Sequence, residues 1–423
     1  MDVEFEDFKD LVFLWLYGFI IISALSVFYG LSRDFSLSLF IIYFYPLLGA
    51  ILIFLTYKLI PNRFSQTLFA YILFFSITLT SFFGVTKIMD GSYAISSNIL
   101  LFGLSFYSVS LGYILFTRRK IEIYDVLFVS NPLLIITGPI AINRKSIKYR
   151  NIKARIKYFV PYMIYGLFLL EVISVTLTPS FHLASNVDLV SSICFAIIFE
   201  LFIYSNFCGL SLIIYGAFGI FGYLIPLNFK QPFSATTVMD FWKGWHRSLS
   251  EVLKRLFYKP IRSKKNLYIG VFFVFIASAL WHGTSINFLL WGLLHFFTFS
   301  LTIFLVNRNI TVFNIAILMF AVILGRLIFL ESDTDMLISK LQFQYNGLGF
   351  FNEFFALPKQ TLFGLMLIII TVFVEFFFRN HRLLIRRNYK LFRLPFFQVV
   401  FLVLILLSLS DSSGLLYPVY GQR

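Results

Sequence analysis

Two segments, FWKGWHRSLS (241–250) and LWHGTSINFLLWGLLH (280–295), each set a histidine beside a tryptophan in apolar surroundings. Imidazole titrates near neutrality, so it can take or return a proton at physiological pH. An imidazole placed to move a proton in a transition state contributes roughly 10²–10⁴-fold to a reaction. His246 and His282 are therefore the candidates for chemistry, provided that the fold brings together positions 36 residues apart. His295, four residues after Trp291, reads as a structural histidine. His182, in a short loop, and His381, in a basic loop, read as incidental. The chain carries no HExxH, no P-loop and no GxSxG. No carboxylate or thiol has ligand spacing to the histidines, and Cys194 and Cys208 give neither a disulfide framework nor a metal site. No metal is expected.

The elements that must position these residues are helices. Residues 237–257 open on Thr237 and Asp240 at capping-box spacing. Phe241, Trp242, Trp245, Leu249, Val252, Leu253 and Leu256 then fall on one arc, with Lys243, Arg247, Glu251, Lys254 and Arg255 opposite. The spacing predicts one cationic amphipathic helix lying in the inner membrane interface, with His246 at the edge of its apolar arc. His282 closes an apolar run; Gly283 fits the position just past a helix, and Thr284 or Ser285 caps the next one. A helix C-terminus favours a charged imidazole and burial favours a neutral one.

The rest of the chain supplies a membrane. Of 423 residues, 59% are hydrophobic and 13% charged, against about one-quarter charged in a soluble domain. The 57 Phe, 23 Tyr and 5 Trp rule out disorder, and so few charges rule out a soluble surface. The formal charge of +15 could suggest nucleic acid, but its distribution argues against that. Seven Lys/Arg in 141–157, nine in 227–265 and six in 379–393 sit between apolar runs, as cytoplasmic loops do. The acidic N-terminus (Asp2, Glu4, Glu6, Asp7, Asp10) is no signal-peptide n-region, so the first apolar run reads as a retained anchor.

Thirteen apolar segments are candidates to span: 11–30, 37–60, 66–84, 95–116, 123–141, 158–178, 188–206, 207–224, 266–282, 286–306, 310–330, 361–378 and 395–410. Basic loops on both sides of 123–141 mean that it does not cross once, and Pro132, Gly138 and Pro139 predict a broken or re-entrant segment. The same parity makes one half of 188–224 fail to span, and Gly209, Gly216, Gly219 and Gly222 point to 207–224. The expectation is an all-α polytopic membrane protein of about 11 transmembrane helices plus re-entrant or broken helices. It forms a single domain over 1–423, with 227–265 a cytoplasmic-side amphipathic loop and helix, in the cell membrane.

The paired Trp-His segments resemble the signature of the membrane-bound O-acyltransferases. They are most similar to the bacterial branch that includes alginate O-acetyltransferases and teichoic-acid D-alanyltransferases. Weaker echoes are LLFGLSFYSVS (100–110), NPLLIITGPI (131–140), IPLNFKQPF (225–233) and ILGRLIFL (323–330), so the resemblance covers about 95–330. NFCGLSL (206–212) lacks two acids carried by relatives, and KRLFYKPIRSKK (254–265) lacks an acid and a glycine turn. The resemblance implies helices ringing a central tunnel, His282 as the catalytic residue and His246 as its support. It also implies an activated acyl donor from the cytoplasmic side and a hydroxyl acceptor outside.

On that reading the donor is an acyl-CoA or an acyl-carrier thioester and no cofactor is needed. Lys243, Arg247, Lys254 and Arg255 could dock an acidic carrier protein or the phosphates of the CoA, or equally anionic lipid. Trp242, Trp245, Arg247, Trp281, Asn287 and Asn206 are the expected substrate-binding residues, with Asn287 a possible oxyanion donor. Direct transfer is simplest; an acyl-enzyme on Ser105 or Cys208 is the alternative. The acceptor is an extracytoplasmic glycan or glycopolymer, with a periplasmic or extracellular accessory protein a further expected partner. A proton-coupled transporter or flippase and a non-catalytic scaffold are the competing classes; a transporter predicts internal pseudo-symmetry, and the sequence has none.

Overall fold

The computed structural model describes residues 9, 11–20, 51, 54–55, 57–60, 62–75, 108–117, 121–137, 140, 145–148, 150–261, 267–331, 333–345, 347, 349–377 and 391–409. Ser105, His381 and most of segments 37–60 and 95–116 lie outside them. The described chain is mostly helical, with one two-stranded sheet among the described residues. Among those residues four helices are long and apolar enough to cross a membrane: Ile152–Ser185, Leu189–Phe221, Ile286–Asn307 and Lys359–Phe376. Five shorter apolar helices accompany them. Phe297, Phe320, Phe373 and Leu406 on these helices are more than half exposed. Such a surface is unstable against water and stable against hydrocarbon, so the chain is an integral membrane protein.

The chain divides into two compact units, one of residues 1–160, 214–226 and 415–423, the other of 161–213 and 227–414. The first contains α1 (Leu11–Ile20), α2 (Arg63–Phe74), α3 (Ser108–Thr117), α4 (Ile123–Val129), α5 (Pro132–Thr137) and β1 (Lys145–Ser146). Segment 123–141 is broken as Pro132 predicts; Gly138 and Pro139 lie outside the described residues. The break falls at Ser130 and Asn131, both buried. Asn131 Oδ1 accepts the Leu133 N–H at 3.0 Å and its Nδ2 donates to the Leu14 carbonyl at 3.1 Å, while Trp15 Nε1 donates to the Ser130 carbonyl at 3.1 Å. Groups freed by the break are thereby satisfied inside the protein, as membrane depth demands.

Two long elements are shared by sequence between the units. α6 (Ile152–Leu167) runs on through a π turn over 168–174 and a 3₁₀ stretch to Ser185. α7 (Leu189–Phe221) is one helix of 33 residues, about 50 Å long. The expectation that 188–224 does not cross twice fits a single candidate span; only the break expected at the glycines is corrected, since 188–206 and 207–224 form one element. Parity is kept because both segments together make a single rod. β2 (Tyr223–Leu224) then pairs antiparallel with β1, Lys145 opposite Leu224 and Ser146 opposite Tyr223.

The second unit continues with α8 (Val238–Gly244), α9 (Arg247–Leu253), α10 (Leu267–His282), α11 (Ile286–Asn307) and α12 (Asn314–Leu330). α13 (Thr334–Leu341), α14 (Phe350–Ala356), α15 (Lys359–Phe377) and α16 (Pro395–Leu409) follow. Short connections let α10, α11 and α12 pack sequentially. Buried polar contacts also cross between helices. Ser180 Oγ donates to Thr361 Oγ1 at 2.8 Å, and the Tyr204 hydroxyl donates to the Glu375 carboxylate at 3.2 Å.

Candidate active site

His282 stands at the last position of α10, a helix with no acid or base before it. The Gly283 N–H bonds the Ala279 carbonyl at 3.2 Å, closing the helix. The chain reverses in three residues, and Ser285 takes the N-cap position of α11, its carbonyl accepting the Phe288 N–H at 3.2 Å. The packing of α10, α11 and α12 then surrounds the His282 ring with aromatics. Ring centroids lie at 4.7 Å for Trp281, 4.9 Å for Phe329, 5.4 Å for Trp291 and 6.1 Å for Phe288. His282 itself is only half-buried.

The Phe329 wall is fixed from both sides. Fully buried Asn287 donates through Nδ2 to the Phe329 carbonyl at 3.0 Å, tying α11 to α12. The Arg326 guanidinium lies 5.2 Å from the Phe329 ring, and its Nε donates to Glu200 Oε2 on α7 at 2.5 Å. That ion pair is nearly dry, with side chains 10% and 7% exposed.

His246 is held differently. The single helix expected over 237–257 is not found; α8 ends at Gly244, and α9 begins at Arg247. The apolar arc survives, since Phe241, Trp245, Leu249, Val252, Leu253 and Leu256 are all buried. The Thr237 cap also stands, its side chain accepting the Asp240 N–H at 3.0 Å. The break comes from outside the segment. Lys230 N–H bonds the Gly244 carbonyl at 2.8 Å, and Arg247 N–H bonds the Asn228 carbonyl at 2.8 Å. A Cβ on Gly244 would meet the Lys230 carbonyl oxygen at 2.7 Å, so only glycine admits that approach. His246 takes φ 40°, ψ 56°, a left-handed state that non-glycine residues adopt rarely and that clusters at functional sites. Its ring is buried, 4.8 Å from Phe207 on α7, and burial pushes its pKa down to about 3. The imidazole is therefore neutral at physiological pH.

One aromatic cluster joins the two motifs. The Trp281 ring lies 4.7 Å from His282 and 6.5 Å from His246. Trp291 lies between His282 and His295, and Trp242 packs on His295 at 5.0 Å and on Trp291 at 5.9 Å. His295 is buried among Trp242, Phe275 and Trp291, a structural setting. Trp245 packs on Phe229, Phe241 and Tyr204. Arg247 forms the first turn of α9, and Asn206 is buried on α7 beside Phe207. Cys194 and Cys208 are both buried and form no disulfide, and His182 Nδ1 lies 2.9 Å from the Pro179 carbonyl.

Phe329, Phe207, Asn228 and the Glu200–Arg326 pair were not expected at the site. Lone charges in apolar runs were the available signal for that pair. Chemically, the cluster offers a half-buried imidazole, a second imidazole kept neutral, and dry aromatic walls.

Comparisons place this geometry in a family. The model of the membrane-bound O-acyltransferase family matches residues 109–329, just over half of the chain. A peptidoglycan O-acetyltransferase of Helicobacter pylori is 36% identical over 98 residues, 22% of this chain and 18% of that protein. A probable alginate O-acetylase of Pseudomonas putida is 31% identical over 97 residues, 22% of this chain and 20% of its own. A teichoic acid D-alanyltransferase of Bacillus subtilis is 31% identical over 108 residues, 23% and 27% respectively. These matches span between 18% and 27% of the relatives' length. The matched region contains both Trp-His motifs and every helix that walls His282, and the chain belongs to the membrane-bound O-acyltransferase family.

Proposed function

We propose that this protein is a membrane O-acyltransferase that moves an acyl group from a cytoplasmic-side thioester to a hydroxyl of an extracytoplasmic glycopolymer. His282 takes the hydroxyl proton as the oxygen attacks the thioester carbonyl carbon. The C–S bond breaks, and the thiolate leaves with the proton that His282 held. Neutral His246 stands by as a hydrogen-bonding group. Trp281 and Trp242 bind substrate along the aromatic wall, while Asn287, whose Nδ2 holds the Phe329 carbonyl, shapes that wall rather than meeting substrate; Trp245, Arg247 and Asn206 support the His246 side. Lys243, Arg247, Lys254 and Arg255 dock the phosphates of an acyl-CoA or an acidic carrier protein. About eleven spanning helices form one domain around a tunnel, and an accessory protein outside presents the acceptor.

The observation that carries the reading is the placement of His282. Its helix has 16 residues, about 24 Å, against a hydrocarbon core of about 30 Å. A helix of that length starting at one interface ends before the other, which would leave the half-buried imidazole at depth among aromatics. Ionisable groups so placed are costly and mark function. The names of the relatives supply three acceptors to try: peptidoglycan strands, alginate and teichoic acid.

The test uses purified protein in lipid vesicles with acetyl-coenzyme A labelled in the acetyl group and those three acceptors. Wild type is expected to label at least one. His282→Ala should lower the rate about 10²–10⁴-fold, with abundance and elution unchanged. Transfer by the variant at the wild-type rate removes His282 as base. A wild type that carries solute across the vesicle and acylates nothing supports a transporter instead.

A further inference from the structure

Asn228 lies in the loop after β2 and is 1% exposed. Its Nδ2 donates to Ser211 Oγ on α7 at 3.1 Å, and its Oδ1 accepts from Ser248 Oγ on α9 at 2.5 Å. Ser211 and Ser248 are themselves buried. The Asn228 carbonyl accepts the Arg247 N–H, and two residues later Lys230 N–H reaches the Gly244 carbonyl. The Arg247 N–H belongs to a first helical turn, where donors have no partner inside the helix. The pairs 228–247 and 230–244 thus bracket Trp245 and His246 on both sides. A left-handed non-glycine residue persists only where its surroundings over-determine it. Here the surroundings are one buried residue whose side-chain amide bonds two elements and whose main-chain carbonyl holds the backbone beside the histidine.

We infer that Asn228 is a positioning residue for His246: its side chain fastens the 228–230 loop to α7 and α9, and the backbone of that loop holds the broken turn, fixing where the neutral imidazole sits. The inference rests on His246 being part of the transfer site proposed above. Asn228 meets no substrate and acts only through the backbone of the break. Ser211 lies within NFCGLSL, so the stretch that departs from relatives is the one that receives the Asn228 amide.

Two readouts on the full-length protein in vesicles separate this role from general stability. The first needs no activity. Diethyl pyrocarbonate modifies neutral imidazoles that it can reach, and mass spectrometry reads each site. Wild-type His246 should be protected. Asn228→Ala should raise its modification about tenfold by freeing the turn, with His282 changed less than about twofold. Unchanged protection of His246 in folded Asn228→Ala overturns the inference.

The second readout is transfer of the labelled acetyl group. Asn228→Ala should lower kcat about 10–100-fold with the KM for acetyl-coenzyme A unchanged, the cost of a misplaced catalytic geometry. Added to His246→Ala it should lower the rate no further, because both act through one imidazole. Losses that multiply in the double variant overturn the inference. If Asn228→Ala does not fold, Ser248→Ala removes the bond to Oδ1, and the same two outcomes are read on it. A wild type inactive with every acceptor defeats the transferase reading, while the modification experiment still decides the positioning.

Discussion

The two Trp-His motifs share a pattern and are built in opposite ways. His282 ends an unbroken helix, is half-buried and is walled by aromatic rings from α10, α11 and α12. His246 occupies a strained turn between two seven-residue helices and is 7% exposed, its position fixed by hydrogen bonds from a separate loop. A residue that must meet a substrate needs reach, which the open end of a helix gives. A residue that must hold one orientation needs over-determination, which a strained, bonded turn gives. On the proposed transfer reading, the two histidines would divide reach and fixity.

Exchanging side chains should separate these roles most strongly at His282. His282→Gln keeps a polar group but loses the base, and initial rates of acetyl transfer should fall about 10²–10⁴-fold. His246→Asn should lose far less, because asparagine tolerates the left-handed region and still bonds. Equal losses at both positions would break the division. The Phe329 wall has its own anchor in the Glu200–Arg326 pair. Glu200→Ala leaves a guanidinium buried and should destabilise by about 3–5 kcal/mol in thermal unfolding. Glu200→Gln with Arg326→Met should recover most of that. A double variant no better than the single one would show that the pair does more than neutralise itself.

Much of this was legible in the sequence, and the failures share a cause. His246 and His282 stood out because an ionisable residue beside tryptophan in an apolar run is costly unless used. The broken segment was legible from Pro132, which removes a donor wherever it falls. The continuity of α7 was not. Gly209 read as a breaker, yet it serves close approach: a Cβ there would lie 2.6 Å from the Gly166 carbonyl oxygen, and small residues at helix contacts are the membrane rule. The break at Trp245 and His246 was hidden because the apolar arc keeps its period across it. Its cause lies in Asn228 and Lys230, some sixteen residues earlier, and local periodicity holds no record of that. Glu200 and Arg326 each looked costly in isolation, but their pairing across 126 positions belongs to the tertiary fold.

The burial of His246 predicts a smaller effect with a definite sign. Its folded pKa of about 3 lies below the ordinary value of about 6.5. Above 6.5 neither state binds the proton and the folded state keeps its full stability. Between 6.5 and 3 only the unfolded chain binds it, so stability falls as pH falls, by about 1.4 kcal/mol per unit. At pH 5 that is about 2 kcal/mol. Thermal unfolding of wild type and His246→Asn at pH 7 and pH 5 should show the wild type losing more. Parallel losses would mean that the turn opens and hydrates the ring.

The smallest effect is expected on the basic face of the same motif. Lys243 pairs with Asp240 at 3.0 Å and is 72% exposed; Arg255 pairs with Glu251 at 2.7 Å, both side chains 41% exposed. Exposed pairs at helical spacing contribute about 0.2–1 kcal/mol and are screened by salt. Lys243→Ala should therefore leave thermal unfolding almost unchanged, where His246→Val, a β-branched residue forced into the left-handed region, costs about 1–3 kcal/mol. If the basic face serves a phosphate-bearing donor, Lys243→Ala should instead raise the KM for acetyl-coenzyme A, and added salt should raise it in the wild type as well. A salt-independent KM, unaltered by the substitution, would leave these cations to the lipid surface. The whole cost of the motif would then fall on the turn that holds its histidine.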